Sequence, residues 1–202
     1  PSFGLSAYVQ LRDQAERATP IGTPAVWGPE DFRMLLGNQA TARGFDDKVG
    51  MYVVAETLRF LKARSTNPPF TIYGVSTIQE ECGVWGAGPV AYGLDPVAAV
   101  AIDVTHATDY PGIEKKQHGE LFLDKGPVLR KGVKSSKVLN RAFEETAARH
   151  GIVFQVEAEW GKFGTDADPI ADRRKGIPVN TLGIPLRYMH TAAEVVSLND
   201  LD

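Results

Sequence analysis

The sequence predicts an α/β protein built on a mixed, mostly parallel sheet flanked by helices. Three observations carry that expectation. Short β-branched and aromatic runs alternate with segments of helical period. Acidic residues recur where those runs end, the side of an open α/β sheet on which ligands bind. A chain of 202 residues with 43% hydrophobic content also suffices for one sizeable core.

Along the chain, Pro1 to Arg43 is interrupted by Pro20, Gly22, Pro24, Gly28 and Pro29 and reads as short strands and loops. From Val49 to Ala63 apolar residues recur three or four apart, the mark of a helix with one buried face. Phe70 to Ser76 is β-branched and aromatic and reads as a buried strand that delivers Gln79-Glu80-Glu81 at its end. A short helix is expected near Ala87 to Tyr92, then a core strand, Ala98 to Ile102, that delivers Asp103. Gly126 to Arg130 is a further strand candidate. Ser136 to His150 is a helix capped by Ser135 or Ser136 and stopped by Gly151. Ile152 to Val156 resumes β character, Asp168 to Lys175 is helical, and Val179 to Ile184 is the last strand, leading into Pro185-Leu186-Arg187-Tyr188-Met189-His190.

Bulk properties exclude several functions. A formal net charge of -3 gives no electrostatic reason for nucleic acid or an anionic membrane as partner. No apolar run reaches the length of a membrane span, and Pro1 to Tyr8 carries no secretory pattern. The single cysteine, Cys82, allows no internal disulfide and suits a reducing cytoplasm, which is the expected location. It follows two glutamates, whose charge disfavours its thiolate and hence a nucleophilic role. No Gly-x-Ser-x-Gly elbow is present, and Gly83 to Gly88 lacks the Lys-Ser or Lys-Thr of a phosphate-binding loop.

The groups left to carry chemistry are carboxylates and histidines. Asp46-Asp47, Glu80-Glu81 and Asp103 each lie beside apolar sequence, where an unpaired charge is costly and a divalent metal would supply the counter-charge. Adjacent glutamates cannot easily share one ligand position. A division of labour resolves this: one binds metal while its neighbour accepts a proton from water. Similarly, one member of Asp46-Asp47 would bridge two metals while the other supports the local backbone. Of the four histidines, His150 ends a helix and His118 lies in a charged, solvated stretch. His106 follows Asp103 closely, and His190, after the last strand, is the strongest ligand candidate.

Together, Phe45-Asp46-Asp47-Lys48-Val49-Gly50, Thr77-Ile78-Gln79-Glu80-Glu81-Cys82-Gly83, Asp103-Val104-Thr105, Gly164-Thr165-Asp166-Ala167 and Ile184 to His190 resemble the M42 family of metallo-aminopeptidases, within the co-catalytic zinc exopeptidases. The resemblance implies two divalent ions, Zn²⁺ or Co²⁺, with Asp46 bridging them. It implies Glu81 and His190 on one ion, Asp103 on the other, and Glu80 as general base and acid. It also implies that Asp47 orients its neighbours and that Thr165, Asp166, Arg187 and Tyr188 line or support the substrate site. Short peptides would be the substrate and the complete protein a homo-oligomer.

By the same resemblance, residues 1–43 are the end of an inserted small β domain and the return from it, and residues 44–202 the C-terminal portion of the catalytic domain. The family completes its second metal site with a histidine upstream of the bridging aspartate, and no histidine precedes Asp46. The expectation is therefore a fragment whose missing part holds that histidine. Two other readings stand beside it: an endoglucanase-type glycoside hydrolase using the carboxylates, and a non-catalytic, truncated peptide-binding relative.

Overall fold

A computed structural model describes residues 22–23, 32–64 and 68–202. Two compact units divide the chain, residues 1–30 and residues 31–202, and all the helices and strands described lie in the second. The order is β1 (Arg33–Met34), β2 (Gln39–Ala42), α1 (Phe45–Ala63), α2 (Ala87–Leu94), β3 (Ala99–His106), α3 (Lys115–His118), β4 (Val128–Gly132), α4 (Lys137–His150), β5 (Gln155–Glu159), α5 (Ala167–Ala171), β6 (Val179–Leu186) and β7 (Glu194–Ser197).

The larger sheet has the order β3-β6-β4-β5, with β3 parallel to β6, β4 parallel to β5, and β6 antiparallel to β4. It is therefore the mixed, mostly parallel sheet expected. A smaller antiparallel sheet runs β1-β2-β7. An antiparallel bridge from Arg187 to Val195 joins it to the end of β6.

Strand periodicity sorts β3 into two functions. Ile102 and Val104 join a core of Ala40, Phe45, Val49, Ile184, Leu186 and Val196, which seats the start of α1 against both sheets. Ala101, Asp103 and Thr105 alternate onto the other face, where Ala101 packs with Ala91, Phe163, Ala167 and Val179. The sheet is thus apolar beneath α1, and its other face turns polar toward the carboxyl end of β3.

Several expected boundaries shift. The helix expected from Val49 begins at Phe45, although Asp46 and Asp47 themselves have non-helical dihedral angles. Asp103 lies within β3 rather than at its end, because the strand runs on to His106. The β segment expected at Ile152 to Val156 is displaced to Gln155–Glu159, and the helix expected to reach Lys175 ends at Ala171. For α4 the expectation holds: Ser136 caps it by accepting from the Leu139 N–H, and Gly151 ends it with φ of 68°.

The strand expected at Phe70 to Ser76 is a correction. The segment makes no ladder among the described residues, and Phe70 and Tyr73 are 62% and 59% exposed. Alternation and β-branching mark a chain that fits a sheet, but a strand also needs a neighbour with free N–H and C=O groups.

The loop after β3 is tied to the end of β6 by Arg187, which donates from Nε and Nη2 to the two oxygens of Asp109, both at 2.7 Å. The guanidinium holds the Asp109 carboxyl below its usual range, against the opposing effect of burial. A carboxylate with a depressed folded pKa stabilises above its unfolded value, and that stability is lost as pH falls through the folded value. Arg187→Gln is therefore expected to lose about 1–2 kcal/mol at about pH 7, in the lower range for charged hydrogen bonds because solvent reaches the pair. The deficit should shrink by about pH 3, and chemical denaturation at the two pH values measures it.

Candidate metal centre

The helix α1 presents its first turn to a cavity of 1140 Å³ whose lining includes Asp46, Glu80, Glu81, Asp103 and His190. Four different chain segments deliver these groups, Asp103 coming from β3. Asp46 and Asp47, joined by a cis peptide bond, open α1. Glu80 and Glu81 sit in a tight turn, where the N–H groups of Gly83 and Val84 both donate to the Glu80 carbonyl at 2.9 and 2.8 Å. Gln79 and Val84 flank that turn with φ of 59° and 55°, a left-handed backbone that is costly for a β-branched residue such as Val84. His190, with φ of 61°, lies in the hairpin between β6 and β7.

One ligand atom from each of Asp46, Glu81 and His190 lies within 4.8 Å of the others. His190 Nε2 is 3.0 Å from Asp46 Oδ2 and 3.5 Å from Glu81 Oε2. The Asp46 side chain is 8% exposed, against 66% for His190 and 53% for Glu81, so the cluster has one buried wall and an open mouth. Asp103 lies outside this convergent group, with Oδ1 accepting from the Val104 N–H at 2.8 Å.

The electrostatics of this corner are unusual. Burial, then the charge of Glu81, raises the Asp46 carboxyl to about 6. Burial, then the charge of Asp103, raises Asp47 to about 8. Glu80 is raised to about 7 by burial and then by Asp166 and Glu81. Asp103 is also raised to about 7, by burial and by Glu80 and Asp46, against the pull of the Val104 N–H. The charged form of each carboxyl is disfavoured because too little positive charge faces it. Two carboxylates and one imidazole nitrogen converging at such a point are a donor set that fits a divalent cation.

Asp47 is not one of the three convergent residues and accepts the Gly50 N–H at 2.9 Å, bracing the first turn of α1. Gly50 makes this close approach feasible, since a Cβ there would stand 2.2 Å from Asp47 Oδ2. Thr165 is buried, lines the cavity and accepts the Ala167 N–H. Asp166 accepts from the Thr77 hydroxyl at 2.5 Å, which anchors the chain leading into Glu80. Arg187 is committed to Asp109, and Tyr188 packs its ring on Tyr110 at 4.5 Å between centroids. Neither Arg187 nor Tyr188 lines the cavity.

Other groups that the sequence does not single out as ligands lie in or beside the cavity. Its far wall carries Arg130, whose Nη2 donates to Glu159 at 2.5 Å and whose Nε lies 3.0 Å from Glu157. His118, expected in solvent, is half-buried against His106, with ring centroids 4.6 Å apart. Burial, then the charges of His118 and His190, lowers His106 to about 4. Glu194 is 2% exposed and accepts from the backbone N–H groups of both Asp46 and His190. In the β3 alternation His106 follows Ile102 and Val104 and is opposite in phase to Asp103, so only its nearness to Asp103 along the chain points to it, whereas no local pattern marks Glu194.

The chain belongs to the M42 glutamyl aminopeptidase family, which it matches over residues 5–202. It is 33% identical to the lysyl aminopeptidase of Pyrococcus furiosus over 192 residues, covering 95% of this chain and 53% of that protein. Its fold is similar to that of the TET aminopeptidase from a marine-sediment Thaumarchaeota archaeon, with a TM-score of 0.78 and 32% identity over 85% of this chain and 48% of the other. A third likeness is to the TET1 peptidase of Pyrococcus horikoshii, a protein that can assemble into a tetrahedron or a large octahedral shell. There the TM-score is 0.67 and the identity 28%, over 85% of this chain and 49% of the other. The chain thus spans about half the length of the relatives it matches.

The contact between Gly50 and Asp47 yields a direct test. Gly50→Ala should displace the Asp47 carboxylate and cost about 1–3 kcal/mol on chemical denaturation, because a short side chain cannot move clear. Gly93→Ala, at a position in α2 with nothing within 4 Å of the added carbon, should be neutral or stabilising by up to about 1 kcal/mol.

Proposed function

We propose that the protein is a metal-dependent aminopeptidase that removes the first residue of short peptides, with Glu80 as its proton carrier. The convergence of Asp46, Glu81 and His190 beside Glu80 carries this reading, supported by membership of an aminopeptidase family. Asp46, Glu81 and His190 would hold one Zn²⁺ or Co²⁺. Asp46 and Asp103 would face a second ion. When bound, such ions supply Lewis acidity, which acidifies water and polarises a carbonyl.

The residues divide the remaining work. Glu80, not needed as a ligand, accepts the proton of the attacking water and passes it to the amine that leaves. Its neighbour in sequence anchors the site, so the two adjacent carboxylates serve different atoms. Asp47, bonded to the Gly50 N–H, holds the turn that presents Asp46, and the bond from Thr77 to Asp166 holds the turn that presents Glu80. Arg187 and Tyr188 act as supports of the β6 end through Asp109 and Tyr110 rather than by touching substrate.

The cavity admits a peptide end through its open mouth. Among the described residues no helix is long and apolar enough to cross a membrane. A cytoplasmic site of action is proposed from the reducing environment that suits Cys82, which is exposed and free. Homo-oligomeric assembly is proposed by similarity to the TET1 peptidase.

Assays on aminoacyl chromogenic substrates, with metal content measured alongside, test the assignment. Glu80→Gln should lower kcat by about 10²-fold or more while leaving metal content unchanged. His190→Ala and Glu81→Ala should lose metal and activity together. Undiminished turnover in the first variant, or full metal loading in the other two, would contradict the roles given.

A further inference from the structure

Glu194 is the least exposed carboxylate near the site, and its compensation comes from two backbone groups. It opens β7, where pairing opposite Ala42 places it just before the first turn of α1. From there Oε2 accepts the Asp46 N–H at 3.2 Å and Oε1 accepts the His190 N–H at 3.0 Å. One carboxylate thus joins the backbones of two ligand residues far apart in sequence.

The hairpin that carries His190 is rigid around this contact. Arg187 and Val195 exchange both backbone hydrogen bonds, at 2.9 and 3.1 Å, and the Thr191 N–H donates to the Tyr188 carbonyl. Tyr188 and His190 both occupy left-handed backbone, with φ of 60° and 61°. A non-glycine residue is held there only when its surroundings fix it, and the hydrogen bond from the His190 N–H to Glu194 is one such fixture.

We infer that Glu194 is a positioning residue that sets the separation of Asp46 and His190 and thereby the affinity of the site for a divalent ion. It touches neither substrate nor ion and acts through the two residues that would. The inference rests on the proposed reading of Asp46, Glu81 and His190 as ligands. Groups that orient metal ligands usually change affinity by about 10–100-fold when removed.

Glu194→Gln keeps size and polarity but turns one acceptor into an N–H₂ that faces a donor. Titration calorimetry with Zn²⁺, together with the visible absorption of the Co²⁺ form, should show affinity reduced by about 10–100-fold and an altered Co²⁺ spectrum. Glu194→Asp, which retains the charge but is one methylene shorter, should also bind more weakly than wild type. Ser197→Ala supplies the contrast, since buried Ser197, on the same strand as Glu194, donates its hydroxyl to Asp124 and not to a ligand residue. It should lower the melting temperature without altering Zn²⁺ affinity. Wild-type affinity and spectrum in either folded Glu194 variant would overturn the inference. Absence of Zn²⁺ and Co²⁺ binding by the wild-type chain would instead overturn the ligand reading, and this inference with it.

Discussion

Repulsion among buried carboxylates is the constraint around which this structure is organised. Asp46, Asp47, Glu80 and Asp103 face one another where burial already disfavours their charge, and all four carboxyls are pushed well above their ordinary range. Such a corner opposes folding unless something outside the hydrophobic effect holds it together. Backbone N–H groups supply part of the compensation, at Gly50 for Asp47 and at Val104 for Asp103. A divalent cation would supply the rest, and its binding would release protons from the groups it displaces them from.

The fold concentrates its rigidity at this corner. The smaller sheet and the Arg187–Val195 bridge fix the hairpin that bears His190, while the apolar core beneath α1 fixes Asp46 from the other side. The Glu80 turn is held at its carbonyl by two N–H donors and backed by Gly86, where any Cβ would meet the Ile78 backbone at 2.4 Å. Two close approaches, at Gly50 and Gly86, therefore explain glycines a few residues beyond each acidic pair. Precision at the site is built from backbone contacts, which few side-chain substitutions elsewhere can disturb.

How much of this was legible in the sequence depended on whether the signal was local. The α4 helix, with Ser136 at one end and Gly151 at the other, was readable because caps and period lie within one segment. Chemistry restricts the metal candidates to Asp46-Asp47, Glu80-Glu81, Asp103 and His190, the resemblance to the M42 family selects Asp46 and Glu81 within the pairs, and the structure brings Asp46, Glu81 and His190 together. The segment Phe70 to Ser76 was misread because its pattern describes compatibility with a sheet, not the presence of a neighbouring strand. Glu194 was missed for a related reason. Its partners are backbone N–H groups, which every residue except proline carries, so nothing about Asp46 or His190 as residue types points to it.

The central claim is that Asp46, Glu81 and His190 form a metal site, and anomalous X-ray scattering from crystals grown with Zn²⁺ tests it most directly. Diffraction data collected on either side of the zinc absorption edge should show a peak between those three side chains. A crystal that holds zinc elsewhere, with no anomalous peak at this cluster, would contradict the account.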